Sequence, residues 1–182
     1  MAGLFDRQGR HIQSKSPELR SDEFMRFAMD EYGDSVYRVA LGQSGSPTDA
    51  EDVYQDVFYR LLKDKTEFAD DQHLKAWLLR VAINRCHDFR RSNLSRRQVP
   101  LADEHEELNT LDQFRTDLWE CIAELPEEQR AVIHLFYIEG YSTKEIAEIV
   151  ETKPETVRTR LFRARTHLRK SLLPGEGHYG EE

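Results

Sequence analysis

Pro154-Glu-Thr-Val-Arg-Thr-Arg-Leu-Phe-Arg-Ala-Arg165 reads as a helix with two unlike faces. At roughly 100° per residue, Val157, Leu161, Ala164, Leu168 and Leu172 share one side. The opposite side carries Glu155, Thr159, Phe162, Arg163, Thr166 and Arg169, with Arg158 on its flank. A phenylalanine among arginines is poor solvated surface but fits thymine methyls and base edges in a DNA groove. The plain alternative is a surface helix with a charged face. Immediately upstream, Ser142-Thr-Lys-Glu-Ile-Ala opens a shorter helix, and a brief turn joins the two. Ser142 with Glu145 has capping-box spacing, and Pro154 suits a first helical position, so both starts are marked. Together they form a helix-turn-helix whose second helix is built to enter a DNA groove.

Charge along the chain extends this reading. The net charge of the 182 residues is −8, which argues against a protein that simply coats DNA. Residues 80–97, however, hold six Arg and one Asp, and residues 151–173 hold seven Arg or Lys and two Glu. Residues 98–139 carry eleven acids and two bases, and residues 21–60 nine acids and three bases. Two basic stripes in an acidic chain fit two nucleic-acid contacts, with acidic surfaces left for another partner. No apolar run approaches the length of a membrane span, and residues 1–17 lack a signal-peptide core, so no membrane insertion is expected. The two cysteines, Cys86 and Cys121, make neither a disulfide framework nor a metal site, which points to a reducing, cytoplasmic setting. Cys86 is expected to be a buried small hydrophobe.

Helical periodicity runs nearly end to end, so the expected fold class is all-α. A first helix is predicted over 21–42, burying Phe24, Phe27, Ala28 and Val36. Ser46-Pro47 starts a second, to about Lys63. A third, from Leu74 to about Arg91, puts Trp77, Leu78, Val81 and Phe89 on one side. Residues 98–112, with five acids, no bases and little periodicity, read as a linker. Helices over 113–125, 127–138, 142–150 and 154–172 form a C-terminal unit, punctuated by Pro126 and Gly140. The predicted order is a flexible segment 1–20, a helical domain 21–97, the acidic linker 98–112, a helix-turn-helix domain 113–173 and a flexible tail 174–182.

Five motifs then occur in a telling order. They are Asp49-Ala-Glu-Asp-Val-Tyr-Gln-Asp-Val-Phe, Trp77-Leu-Leu-Arg-Val-Ala-Ile-Asn-Arg, Leu125-Pro-Glu-Glu-Gln-Arg, Tyr141-Ser-Thr-Lys-Glu-Ile-Ala and Thr156-Val-Arg-Thr-Arg-Leu-Phe-Arg-Ala-Arg. Across about residues 21–172 the series resembles the extracytoplasmic-function (ECF) class of bacterial RNA polymerase sigma factors. The resemblance implies two small helical domains, sigma regions 2 and 4, joined by a flexible linker. It also implies core RNA polymerase and promoter DNA as partners, and in many relatives an anti-sigma factor.

Candidate surfaces follow from the residues and the resemblance together. In the second helix Ala50, Val53, Val57 and Leu61 lie on one side and Asp52, Gln55, Asp56 and Tyr59 on the other. Like charges at Asp52 and Asp56 cost roughly 0.2–0.5 kcal/mol in an isolated helix, which is better tolerated if a basic partner meets them; the plain alternative is a solvated face. In the family this helix docks on the polymerase, although Tyr54 and Asp56 stand where an aliphatic residue and a Glu are commoner. In the third helix Arg80, Asn84, His87 and Arg91 fall within about 60° of one another. Arginine supplies phosphate contacts and asparagine pairs with adenine. His87 reads either as a phosphate contact or as a neutral surface histidine. The resemblance assigns this helix, with the loop Phe68 to His73, to the promoter −10 element and an extruded base; Trp77 reads as core. For the −35 element the candidates are Lys153, Glu155, Arg158, Thr159, Arg160, Phe162 and Arg163, with Lys153 and Arg160 on phosphates. Glu155 either accepts from a cytosine or simply favours the helix dipole. The turn Val150-Glu-Thr-Lys lacks the glycine and aliphatic residue usual in the family, and Glu155 replaces a small residue.

The competing reading is a dimeric helix-turn-helix regulator, which leaves the second-helix face and the first basic stripe unused. No glycine-rich phosphate loop, spaced histidine cluster or nucleophile motif is present, so no enzyme, cofactor or metal is expected.

Overall fold

The structure, a computed structural model, describes residues 19–92 and 118–172, with side chains to Asp88 in the first stretch. The linker, the tail, most of the N-terminal segment and the start of the fourth predicted helix lie outside these residues. The described residues divide into two compact units, with the boundary between Arg97 and Gln98.

The first unit is a bundle of α1 (Asp22–Ser44), α2 (Pro47–Lys63) and α3 (Asp71–Ser92), each packed on the other two. Ser21 caps α1 by accepting the Phe24 N–H at 3.3 Å. That helix runs two residues past the predicted Gly42, because its stop is Gly45, at φ 70°. There the Gly45 N–H returns to the Leu41 carbonyl at 2.8 Å, a left-handed cap that needs no Cβ. Ser46 caps α2 through the Asp49 N–H, with Pro47 in the first turn as expected. α3 begins three residues before the predicted Leu74, since Asp70 accepts the His73 N–H at 2.7 Å. Asp70 is thus the N-terminal cap of this helix.

In this unit Phe24, Ala28, Val36, Ala50, Val53, Val57 and Leu61 are buried as predicted. Phe27 is only half-buried, its ring edge-on to Tyr32 at 6.0 Å. The α3 stripe differs from expectation. Leu74, Leu78, Leu79, Ala82, Ile83 and Cys86 fill the core, while Trp77 and Val81 are half-buried at its border. Each buried leucine contributes about 1.5–3 kcal/mol relative to exposure, so three of them outweigh one large ring at the rim. α1 and α2 approach closely where Gly33 meets Tyr54, whose hydroxyl would stand 3.0 Å from a Cβ at that position.

The second unit contains α4 (helical over 118–124), α5 (Glu127–Tyr137), α6 (Thr143–Ile149) and α7 (Pro154–Leu172). α6 carries the predicted capping box in full: Glu145 N–H to Ser142 Oγ at 3.3 Å and Ser142 N–H to the Glu145 carboxylate at 2.8 Å. The core joins Leu125, Val132, Leu135, Ile146, Ile149, Val157, Leu161 and Ala164. Polar side chains enter it as well. Arg130 is buried and donates to the Ala123 carbonyl at 3.1 Å, holding the C-terminal end of α4. His134 lies 3.6 Å from the Glu139 carboxylate, both side chains buried. Beside them the Tyr141 phenol is pushed up to about 12, by burial first and then by Glu139 and Glu145, so it packs as a neutral group.

Candidate nucleic-acid interface

α7 presents the two faces its sequence foretells. Val157, Leu161 and Ala164 are buried, and Leu168 and Leu172 are half-buried. Lys153, Glu155, Arg158, Thr159, Phe162, Arg163, Thr166 and Arg169 are exposed. Phe162 is 69% exposed, the largest value among the exposed large hydrophobic side chains. Thr159 and Thr166 donate their hydroxyls to the Glu155 and Phe162 carbonyls, both at 2.9 Å, so those protons are committed to the helix.

The arginines of α7 are not equivalent. Arg158 pairs with Glu155 at 2.7 Å, with both side chains exposed. Such a surface pair is worth only a few tenths of a kcal/mol, so a phosphate or base displaces it readily. Arg160 is different: its side chain is 21% exposed and pairs with Glu128 of α5 at 2.6 Å. Its guanidinium therefore braces the unit, and the phosphate role expected for it would require opening that contact. Arg165, which the sequence reading did not select, donates to the Tyr137 hydroxyl at 2.9 Å and lies over the Phe136 and Tyr137 rings. No sequence periodicity signals such a contact between helices 28 residues apart in the chain.

The turn between α6 and α7 explains its missing glycine. Glu151 takes φ 51°, the left-handed conformation glycine adopts at low cost. The Thr152 N–H reaches the Ala147 carbonyl at 2.9 Å, closing α6 in the usual helix-ending geometry. The turn is built as a glycine would build it, at some strain.

In the first unit the basic stripe of α3 lies opposite the buried stripe, roughly 160° around the helix. Asn84 is exposed, whereas Arg80 and His87 are half-buried. The Arg91 side chain lies outside the described residues. Phe68, placed by the sequence reading in a base-capturing loop, faces inward at 7% exposure and packs on Phe24, His73 and Trp77. Ala69, Asp70, Asp71, Gln72 and His73 of that stretch are exposed, as are Lys65, Thr66 and Glu67 just before it.

On α2, Asp52, Gln55 and Tyr59 form an exposed face, and Lys63 bonds the Tyr59 hydroxyl. Asp56 departs from them. Its carboxylate meets Arg85 of α3 at 2.5 Å and Arg60 at 2.8 Å. Asp56 thus has basic partners within the unit. Among the described residues no cluster of His, Cys, Asp or Glu is arranged to hold a metal, and no helix is long and apolar enough to cross a membrane.

A three-helix bundle with a basic stripe, followed by a second helical unit closing in a helix-turn-helix, is the build of a sigma factor of the sigma-70 type. Residues 28–96 match Sigma-70 region 2, and residues 115–168 match Sigma-70, region 4. The ECF RNA polymerase sigma factor SigL of Mycobacterium tuberculosis is 34% identical over 156 residues, covering 81% of this chain and 88% of that one. SigE of Mycolicibacterium smegmatis is 31% identical over 161 residues, covering 83% of this chain and 61% of the relative's length. In fold, the chain is similar to the sigma factor RpoE of Bartonella quintana, solved with the anti-sigma factor NepR. The TM-score is 0.65 at 21% identity, over 86% of this chain and 99% of that one. The chain belongs to the ECF RNA polymerase sigma factors.

Proposed function

We propose that this sigma factor binds core RNA polymerase and delivers it to promoters bearing two elements at fixed separation. The Asp52, Gln55 and Tyr59 face of α2 docks on the polymerase. Arg80, Asn84, His87 and Arg91, with the loop before α3, engage the −10 element. Lys153, Arg158, Thr159, Phe162 and Arg163 engage the −35 element, and Glu155 contacts DNA or orders Arg158. The domain bounds proposed are region 2 over 21–97, an acidic linker over 98–112 and region 4 over 113–173. The protein performs no covalent chemistry of its own and acts in the cytoplasm. An anti-sigma factor, as in the RpoE complex, is the proposed brake.

The observation that carries this reading is the outward face of α7: a 69% exposed phenylalanine flanked by exposed arginines on a capped helix-turn-helix. Phosphate contacts position such a helix and base-edge contacts select sequence. The test is transcription from fragmented genomic DNA by bacterial core polymerase, with and without the protein. The expected result is discrete new start sites sharing two upstream elements at constant spacing. No new initiation, with tight binding of the protein alone to a palindromic duplex, would replace the proposal with a dimeric regulator.

A further inference from the structure

We infer that Arg20 is a positioning residue for promoter melting: it holds the 64–70 loop in the shape that meets the −10 strand. This rests on the proposed role of that loop. Arg20 lies outside every motif that carries the family likeness, and it precedes the residues matched to region 2.

Its contacts converge on one short segment. The Arg20 backbone N–H donates to the Leu62 carbonyl at 3.1 Å. Its Nε donates to the Leu61 carbonyl at 3.1 Å, and one terminal nitrogen donates to the Thr66 carbonyl. The same nitrogen lies 3.8 Å from the Asp64 carboxylate, and the side chain is only 10% exposed. The guanidinium carbon stands 4.7 Å from the Phe24 ring centroid and 4.8 Å from that of Phe68. One planar group thus ties the C-terminal end of α2 to the middle of the loop and backs the loop's buried anchor, Phe68.

The loop has little else to define it. Thr66 N–H bonds Asp64, Ala69 N–H bonds His73 Nδ1 at 3.2 Å, and His73 N–H bonds Asp70. Lys65, Thr66, Glu67, Ala69 and Asp70 point to solvent, where an unpaired base would arrive. The bundle core is complete without Arg20, since Ala28, Val36, Val57, Leu61 and Leu78 are fully buried by one another's helices. Removing Arg20 therefore loosens the loop before it disturbs the bundle. A lysine keeps the charge, but it cannot donate to two carbonyls in one plane while flanking two rings. Burial lowers the Arg20 pKa, with Asp64 opposing, and an arginine remains charged even so.

The experiment uses full-length R20M and R20K in holoenzyme, with the promoter taken from genomic transcription. The probe is a fluorescent single strand carrying the non-template −10 sequence, with a scrambled strand as control. Both variants should bind the −10 strand roughly tenfold to a hundredfold more weakly, as misplacing a contacting group by about 1 Å does. Association with core polymerase should stay within about twofold of wild type, because the α2 face is untouched. Amide hydrogen exchange in residues 64–70 should rise while exchange in α1 and α2 does not. The inference is overturned if −10 strand binding is unchanged, if exchange in 64–70 is unchanged, if R20K restores binding, or if core association falls in step. If wild-type holoenzyme fails to distinguish the −10 strand from the scrambled one, the loop's proposed role fails instead, which the variants play no part in revealing.

Discussion

Arg163 and Arg160 sit three residues apart on one helix, yet their surroundings give them different work. Arg163 is exposed, beside Phe162 and clear of the buried stripe, whereas Arg160 is held by Glu128. Arg163→Ala should cost about 1–3 kcal/mol in binding the −35 element. Transcription from −35-dependent promoters should fall accordingly, with polymerase association unchanged; a parallel loss of polymerase association would contradict the DNA role. Glu151 makes a second case at this scale. A non-glycine residue at φ 51° is strained, and replacement by glycine should stabilise the second unit by roughly 0.5–1 kcal/mol. A thermal melt of Glu151→Gly that moves downward would show that contacts of the glutamate side chain outweigh its backbone strain.

Helix ends decide how the recognition helix is aimed. The α6 capping box sits one short turn before α7, and α6 is only seven residues long, so its N-terminal bonds matter more than in a long helix. Ser142→Ala should destabilise the unit by about 1 kcal/mol. Glu145 is held below its ordinary value of 4.5, first by the Ser142 side-chain bond and then by the Ser142 backbone bond. A carboxylate whose folded value is depressed contributes its full stabilisation above the unfolded value and loses it as pH falls through the folded one. Unfolding of the second unit should therefore become easier below about pH 4.5, and Glu145→Gln should flatten that part of the profile. α2 supplies another separation. Asp52→Arg, on an exposed face, should weaken association with core polymerase at unchanged unit stability. Asp56→Asn removes the carboxylate that Arg85 and Arg60 share, leaving Arg85 the longer pair to Asp88 at 3.7 Å, and should destabilise the bundle by about 1 kcal/mol. Equal effects of the two on polymerase association, after correction for folded fraction, would remove the distinction.

For the molecule as a whole, charge is divided rather than summed. A net −8 chain carrying two basic stripes should bind duplex DNA poorly alone and acquire affinity only when polymerase supplies the remaining contacts. Titration of a promoter fragment at physiological salt, with free protein and with holoenzyme, checks this; tight binding by the free protein would favour a stand-alone regulator.

Helix positions were legible in the residues to within a few places, because caps act locally. Ser21, Ser46, Ser142 and Pro154 each marked a start within hydrogen-bond reach of the marker itself. Asp70 carries the same kind of signal, which sets the start of α3 at Asp71 rather than at Leu74. The outward set on α7 was legible as well, since a helix with one apolar stripe has only one other side to show. What the sequence could not convey was which polar groups find partners across the chain. Nothing near Asp56 in the sequence announces Arg85, and nothing near Arg160 announces Glu128. Nor could periodicity tell that Leu74, Leu79 and Ile83, rather than Trp77, would face the bundle axis. Local hydrogen bonds and side-chain period are written into neighbouring residues, whereas burial and ion pairing depend on which helix face meets which, and that is settled when the helices pack.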